Sequence, residues 1–179
     1  MKPLATFTDQ DIFQKGNGQR NATFTDRLTG KAIVFDSDNK LALVGNRVNS
    51  LRLLPGGGIE AGESIEDGVV RECLEEIGCH VKLKEPVGVI EDYREREKKH
   101  KISHCYIAEV IGEKGDPALT ESEKANGLYV IWVSLEEAIK ILTEQEKQLR
   151  RGEVTFYNTG FDIAEDKLFL EKTQELTKS

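Results

Sequence analysis

The sequence predicts an α/β protein with a mixed β-sheet. Short apolar runs of strand length are interspersed with longer segments that have the apolar periodicity of helices, and glycines and prolines separate several of them. A chain of 179 residues is long enough to bury one substantial core and too short for two domains of ordinary size. We therefore expect residues 1–179 to form a single domain.

The first predicted strands follow an amino-terminal extension that reaches about residue 21. Two apolar runs, 32–35 and 40–44, lie on either side of a polar turn, which is typical of a β-hairpin. A third run, 51–54, ends at Pro55, and the three glycines after it permit backbone conformations that other residues avoid. We expect this strand to end there and a tight loop to begin.

A helix is predicted directly after this loop. Ser64, with Asp67 three residues later, forms an S-x-x-D helix start. The apolar periodicity continues to about Ile77, and Gly78 is a typical helix end. Apolar residues fill one face of this helix, as packing against a core requires.

The second half of the chain contains further strands and helices. We predict strands at 87–90, 102–110 and 128–133, a helix from 135 to 142 or beyond, and a final helix at 164–176. The charged stretch 91–101 separates the first two of these strands, and its mixed signs predict a solvated hairpin loop. A basic loop that attracts an anionic substrate is the alternative for this stretch.

The overall composition limits the classes of partner. With 38% apolar and 32% charged residues, the chain is typical of a globular protein, and no segment is long and apolar enough to span a bilayer. The formal charge of −7 disfavours nucleic acid, whereas a small phosphorylated ligand can bind an acidic site through a divalent cation. The amino terminus lacks the sustained apolar stretch of a secretory signal, so we expect a cytoplasmic protein without a membrane partner.

The three cysteines, Cys73, Cys79 and Cys105, have no paired spacing. An odd number of cysteines fits reduced thiols better than a disulfide framework. We expect them to be small core residues without a part in the chemistry.

Three carboxylates crowd one exposed face of the first predicted helix. Glu72 and Glu76 are one turn apart, and Glu75 lies beside them. Like charges at these spacings repel by roughly a few tenths of a kcal/mol per pair, and Arg71 is the one basic residue close by. A bound cation would compensate this repulsion, and carboxylate oxygens suit Mg²⁺ or Mn²⁺. Taken without its surroundings, the pattern also fits a glycine turn followed by an acidic surface helix.

The spacing of residues across the loop and the helix together is a more specific functional signal than the acidic face of the helix alone. From Gly57 to Cys79 the chain reads GGIEAGESIEDGVVRECLEEIGC. Glycine, five residues, Glu63, seven residues and then the Arg71 to Cys79 segment fill every defined position of the Nudix box, with cysteine as a mild departure at both apolar places. The chain therefore resembles the Nudix, or MutT-like, hydrolase family, and the resemblance extends loosely over a core at about 28–145.

The resemblance implies an α/β/α sandwich and a metal-dependent hydrolysis of a small nucleoside diphosphate linked to another moiety. Glu72, Glu75, Glu76 and the carbonyl of Gly57 would be the ligands of Mg²⁺ or Mn²⁺. Arg71, which would orient the helix and the loop together with Glu63, counts with Glu72 and Glu76 among the catalytic residues in this interpretation. Metal ions would polarise the phosphoanhydride and lower the pKa of the attacking water.

Several alternatives stay open at this point. The general base is Glu72 in the first interpretation, and Glu121 or Glu123 outside the box in the second. A Nudix module that senses a nucleotide without cleaving it is the alternative function, although a pure binder has no need of three crowded carboxylates. Signatures that would name the nucleotide are absent, and a homodimer, if it forms, is expected to use the terminal extensions.

Overall fold

A mixed β-sheet forms the centre of the computed structural model, which describes residues 2–16 and 23–178. The strands are β1 (Ala5–Thr8), β2 (Thr25–Phe35), β3 (Leu41–Asn46), β4 (Arg52–Leu53), β5 (Gly56–Gly58), β6 (Val81–Arg94), β7 (Lys99–Val110) and β8 (Leu128–Val133). The helices are α1 (Asp9–Phe13), α2 (Ile65–Ile77), α3 (Glu121–Ala125), α4 (Leu135–Arg150) and α5 (Tyr157–Thr177). Residues 17–22, part of the predicted amino-terminal extension, lie outside the described residues.

The strand order is β1-β6-β7-β2-β3-β4, with β5 paired to β2 and β8 paired to β3. β1 runs parallel to β6 and β2 runs parallel to β7, whereas the other pairs are antiparallel. The predicted mixed sheet is therefore confirmed. In the part of the chain that the structure describes, no helix combines the length and the apolar character needed to cross a bilayer.

Helices cover both faces of the sheet. Successive side chains of a strand point to opposite faces, and the central strands carry apolar side chains on both, so each face needs a helix to bury it. Ile33 of β2 packs in the core beneath α4 and α5, whereas its neighbours Ala32 and Val34 pack in the core beneath α2. The same alternation holds in β3, where Leu43 and Ala42 belong to different cores. The expected α/β/α sandwich is confirmed.

Helix α2 begins and ends where the sequence predicted. The Ser64 hydroxyl accepts a hydrogen bond from the Asp67 amide at 3.1 Å, which caps the first turn. Gly78 takes a left-handed conformation with φ of +66°, and its N–H bonds to carbonyls of the last turn. A side chain at Gly78 would also collide with the backbone of Gly115, 2.4 Å from the position of its Cβ.

All three cysteines are free and buried, which confirms the expectation that they are core residues. Cys73 and Cys79 pack beneath α2, and Cys105 lies on the opposite face of the sheet. Burial raises the pKa of the Cys73 and Cys105 thiols well above its usual range. These thiols are therefore protonated and poor nucleophiles at neutral pH.

The prediction of a solvated loop at 91–101 is wrong. β6 continues to Arg94 and β7 begins at Lys99, so only a short turn separates the two strands. Asp92, Arg94 and Lys101 are buried. The ends of these strands could not be predicted from the charged residues, because a buried strand normally carries apolar residues at alternate positions.

Helix α5 explains how these charged strand residues can be buried. It packs on the sheet beside α4 and contributes Phe161, Ile163, Phe169 and Leu170 to the interior. It also carries the fully buried carboxylates Glu165 and Asp166. α5 begins at Tyr157, seven residues before the helix that the sequence predicted, and it meets the sheet with acidic as well as apolar side chains.

Candidate active site

The glycine segment before α2 is a short strand rather than the tight loop that the sequence predicted. Gly56–Gly58 pairs antiparallel with β2, with Gly57 opposite Gly30. A Cβ at Gly56, where φ is +147°, would lie 2.2 Å from the carbonyl oxygen of Gly30. The backbones approach so closely that no other residue fits there, and glycine's low strand preference concealed the pairing.

Glu72 of α2 lies directly against this strand. A Cβ at Gly57 would be 2.5 Å from the carboxyl carbon of Glu72, so the absence of a side chain makes room for the carboxylate. The structure thus brings together two of the residues that the sequence singled out. Burial, with the charges of Glu75 and Glu123 added, raises the pKa of Glu72.

Arg71 joins the segment before α2 to the helix. Its guanidinium donates to Glu63 at 2.9 Å, to Glu72 at 2.8 Å and to Glu75 at 3.1 Å. A further bond of 3.0 Å reaches the carbonyl oxygen of Gly58. The hydrogen bond to Glu63, together with the charge of Glu72, raises the pKa of Arg71 above its usual range. This network fixes the orientation of α2 relative to β5.

Glu76 has a different environment from its two neighbours. One carboxylate oxygen accepts a hydrogen bond of 2.8 Å from the amide of Gly56. Burial raises the pKa of Glu76 to about 8, and the negative charges of Glu72 and Glu123 act in the same direction. Glu72 and Glu76 therefore lie in a partly buried region with an excess of negative charge.

The two candidates for a base outside the box differ in position. Glu123 acts electrostatically on both Glu72 and Glu76, while its carboxylate accepts hydrogen bonds from Thr120 at 2.7 and 2.8 Å. Glu121 is almost fully exposed and pairs with Lys124 at 2.8 Å. Helix α3, which carries both, therefore brings the charge of Glu123 to bear on the box.

The fit of a divalent cation can be judged from these contacts. Among residues 2–16 and 23–178, no three His, Cys, Asp or Glu side chains converge closely enough to enclose a metal ion as they stand. Glu72 and Glu75 bond to Arg71, and Glu76 bonds to Gly56. The donor set nevertheless suits Mg²⁺, because Glu72, Glu75 and Glu76 place three carboxylates beside a glycine backbone, and Arg71 is the one cation among the described residues that pairs with any of them.

A cavity of about 410 Å³ opens beside this group. Its wall includes the three glycines of β5 and Glu76. Cationic side chains from the sheet form a second part of the wall: Arg27, Lys31, Arg94, Lys99 and Lys101. Aliphatic and further polar residues, with the first two turns of α5, complete it: Thr29, Val44, Gly45, Asn46, Asn49, Leu51, Leu53, Leu54, Glu97, Leu128, Asn158, Thr159 and Asp162. The size suits a small molecule.

Most of the cavity cations already have anionic partners. Lys31 binds Asp166 at 2.5 Å, and Lys101 binds Asp162 at 2.7 Å. Arg94 also binds Asp162, at 2.9 Å. These pairs link the sheet to α5, and together they neutralise much of the positive charge under the helix.

Arg27 differs from the other cavity cations, because no carboxylate among the described residues pairs with it. Its guanidinium lies against Gly58, where a Cβ would be 1.8 Å from Nη2. Arg27 was not among the residues predicted from the sequence. The available signal is the alternation of Arg27, Thr29 and Lys31, whose polar side chains share one face of β2, whereas Ala32 and Val34 on the other face carry the apolar pattern of a strand.

Comparisons with known proteins agree with this arrangement. The model of the NUDIX domain matches residues 27–154. An ADP-ribose pyrophosphatase of Methanocaldococcus jannaschii is 37% identical over 91 residues, which cover 48% of this chain and 54% of that protein. The mouse diphosphoinositol polyphosphate phosphohydrolase 3-alpha is 29% identical over 105 residues, which cover 59% of this chain and 60% of that protein. The chain thus spans less than two thirds of the length of these relatives.

Solved structures show the same fold. The MutT protein of Methanosarcina mazei Go1 superposes with a TM-score of 0.53 at 19% sequence identity, covering 74% of this chain and 99% of that chain. Because the domain model spans more than half of the sequence and includes the complete box on β5 and α2, the chain belongs to the Nudix hydrolase family.

Proposed function

We propose that the protein hydrolyses the phosphoanhydride bond of a nucleoside diphosphate linked to another moiety, with Mg²⁺ or Mn²⁺ as cofactor. One observation carries the proposal: the cavity wall combines Glu76 and the glycines of β5 with Arg27, a cation that lacks a carboxylate partner among the described residues. Both components fit a diphosphate, because a cation held by the carboxylates and the guanidinium of Arg27 can divide its negative charge between them.

The residues of the box would have two roles, which are metal binding and the positioning of α2. Glu72, Glu76 and the carbonyl of Gly57 would hold the cation, with Glu75 as a further ligand. When bound, a divalent cation would withdraw charge from the phosphate oxygens and lower the pKa of the attacking water. Arg71 would hold α2 in a fixed position relative to β5 through its hydrogen bonds to Glu63 and to the carbonyl of Gly58.

The reaction exchanges one oxygen–phosphorus bond for another. The oxygen of water forms a bond to one phosphorus, the bond between that phosphorus and the bridging oxygen breaks, and the bridging oxygen leaves on the other phosphate. Glu72 would accept the proton of the water. Glu123 is the better of the two alternatives outside the box, because its charge acts on Glu72 and Glu76, whereas Glu121 is engaged with Lys124. The products are two phosphate monoesters.

Assays of a substrate panel test this proposal. Nucleoside triphosphates, nucleotide sugars, ADP-ribose, dinucleoside polyphosphates and diphosphoinositol polyphosphates are incubated with Mg²⁺ or Mn²⁺ and with excess chelator. We expect turnover of at least one diphosphate-linked nucleoside, and its loss in chelator without unfolding of the protein.

Full turnover in chelator would disprove the metal dependence. Absence of turnover across the panel would count against hydrolysis. Saturable binding of a nucleotide that stays intact in the presence of metal would favour the sensing module instead.

Arg27→Gln is expected to raise KM about 10-fold with little change in kcat, because it removes a cation that binds phosphate in ground and transition state alike. Lys82→Gln is the matched control, since Lys82 is exposed on β6 and does not line the cavity. Steady-state kinetics on the best substrate of the panel measures both. Equal KM values for the two variants would remove Arg27 from the binding site.

The cellular location and assembly are separate proposals. The three buried free thiols support a reducing compartment, and we propose the cytoplasm. A homodimer through the terminal segments stays a prediction.

A further inference from the structure

Helix α5 presents three polar side chains to the cavity. Asp162 follows Asn158 by four residues and Thr159 by three, so both lie beside Asp162 on the face of the helix that lines the cavity. This helix lies beyond the matched NUDIX segment, which ends at residue 154. The family match therefore leaves the role of this wall unassigned.

Among the described residues, only one of the two carboxylate oxygens of Asp162 accepts hydrogen bonds. Oδ1 accepts hydrogen bonds from both Arg94, at 2.9 Å, and Lys101, at 2.7 Å. No group among the described residues donates to Oδ2, and 21% of the side chain is exposed. Burial opposes ionisation, but the charges of Lys101, Lys31 and Arg94 hold the pKa of Asp162 well below its usual range. An ionised oxygen thus remains available at the cavity.

The chemistry of this wall selects against further phosphate groups. Lys31, Arg94 and Lys101 are occupied by carboxylates, and Lys99 pairs with Glu97 at 2.9 Å. A ligand with several phosphates beyond the diphosphate would meet neutralised cations and an unpaired carboxylate oxygen. None of the described residues that line the cavity is aromatic, so this wall also lacks a ring on which a base would stack. A neutral group with hydrogen-bond donors fits it better.

We propose that Asp162 Oδ2, together with the hydroxyl of Thr159 on the same cavity wall, accepts hydrogen bonds from sugar hydroxyl groups of the substrate. The inference rests on the proposed hydrolysis and makes the substrate a nucleoside diphosphate sugar rather than a polyphosphorylated polyol. Asp162 is then a specificity residue that acts through binding of the sugar, at a distance from the reacting phosphorus.

Two substrate analogues can identify the sugar that is recognised. ADP-ribose is compared with the ADP ester of tetrahydrofurfuryl alcohol, which keeps the terminal ring without its hydroxyls, and with an ADP-ribose whose adenosine is 2′,3′-dideoxy. We expect kcat/KM of the wild type to fall at least ~10²-fold for one of the two analogues, because the loss of a donor leaves the ionised Oδ2 of Asp162 without a hydrogen bond from the ligand that covers it.

Asp162→Asn is the decisive variant, and Glu165→Gln is its matched control. The amide oxygen of the asparagine would accept the hydrogen bonds from Arg94 and Lys101. Its NH₂ group, which can only donate, would then take the place of Oδ2, where the sugar needs an acceptor. Glu165 contacts the same cations, Lys101 at 3.3 Å and Arg94 at 3.5 Å, but it is fully buried and does not line the cavity. Both variants remove one charge from one network.

We expect Asp162→Asn to lose at least ~10²-fold in kcat/KM on ADP-ribose and less than about 3-fold on the discriminated analogue. Glu165→Gln should keep the wild-type ratio between the substrates even if its rates fall. If Asp162→Asn does not fold, Thr159→Val decides, with an expected reduction of the ratio by about 3-fold or more. An unchanged ratio in the folded variant would overturn the proposal.

The wild-type panel separates this inference from the proposed hydrolysis. Turnover of nucleoside triphosphates or diphosphoinositol polyphosphates without turnover of ADP-ribose would refute the sugar site while leaving the hydrolysis in place. Turnover of ADP-ribose without discrimination against either analogue would refute it as well. A wild type that hydrolyses none of the panel would refute both.

Discussion

Glu76→Gln is expected to lower turnover by at least ~10²-fold, which corresponds to about 2.7 kcal/mol of transition-state stabilisation. Glutamine keeps the size of the side chain and an oxygen that can accept the bond from the Gly56 amide. The variant therefore removes charge without removing the contact to β5. If Glu76 is a metal ligand, the loss of charge weakens cation binding directly.

Melting temperatures distinguish this role from a structural one. Without metal, Glu76→Gln should be as stable as the wild type or slightly more stable, because a buried carboxylate near Glu72 is costly. Added Mg²⁺ should raise the melting temperature of the wild type more than that of the variant. Glu66→Gln on the same helix, where the side chain bonds to Tyr106 at 2.9 Å, is the control and should respond to Mg²⁺ as the wild type does. Near-normal turnover and an unchanged response to Mg²⁺ in Glu76→Gln would remove Glu76 from the site.

Lys31→Met is expected to destabilise the fold by about 3–5 kcal/mol, because it leaves the carboxylate of Asp166 buried without its cation. Both side chains of this pair are almost fully buried, and Asp166 also accepts a bond of 2.8 Å from the amide of Leu54. The pair therefore joins β2, the β4 segment and α5 in one place. Denaturant unfolding measures the loss.

Two further variants test the cause. In the double variant Lys31→Met with Asp166→Asn, the uncompensated charge is gone and the amide oxygen can still serve Leu54, so much of the stability should return. Lys140→Met breaks an exposed pair with Glu136 on α4, and we expect it to change the stability far less than Lys31→Met does. A Lys31→Met variant as stable as Lys140→Met would show that the buried pair is not what joins α5 to the sheet.

Local patterns were enough to predict the box and its helix. Ser64 and Gly78 determine the ends of α2 through contacts within a few residues, and the apolar face of the helix repeats with its own period. The proximity of Glu72 to Gly57 followed from the spacing of a known motif. These features depend on short stretches of chain, so a single sequence contains the information.

The remaining part of the site depends on distant partners. Lys31 and Asp166 are 135 positions apart, and the residues next to each of them in the sequence do not indicate that the two form a pair. Charged residues at 92, 94 and 101 indicate solvent when they are considered alone, and only the acidic face of α5 makes their burial favourable. No local pattern could therefore predict this half of the cavity.

The contact between α5 and the sheet also bears on the order in which the site is made during synthesis. The glycines and carboxylates of residues 56–76 leave the ribosome about a hundred residues before the anions that neutralise Lys31, Arg94 and Lys101. Until α5 arrives, Lys31 and Lys101 lack their carboxylate partners on the face that later becomes the cavity, and Arg94 has Asp92 but not Asp162. Assembly of α5 is thus the step that neutralises these cations and closes this side of the cavity.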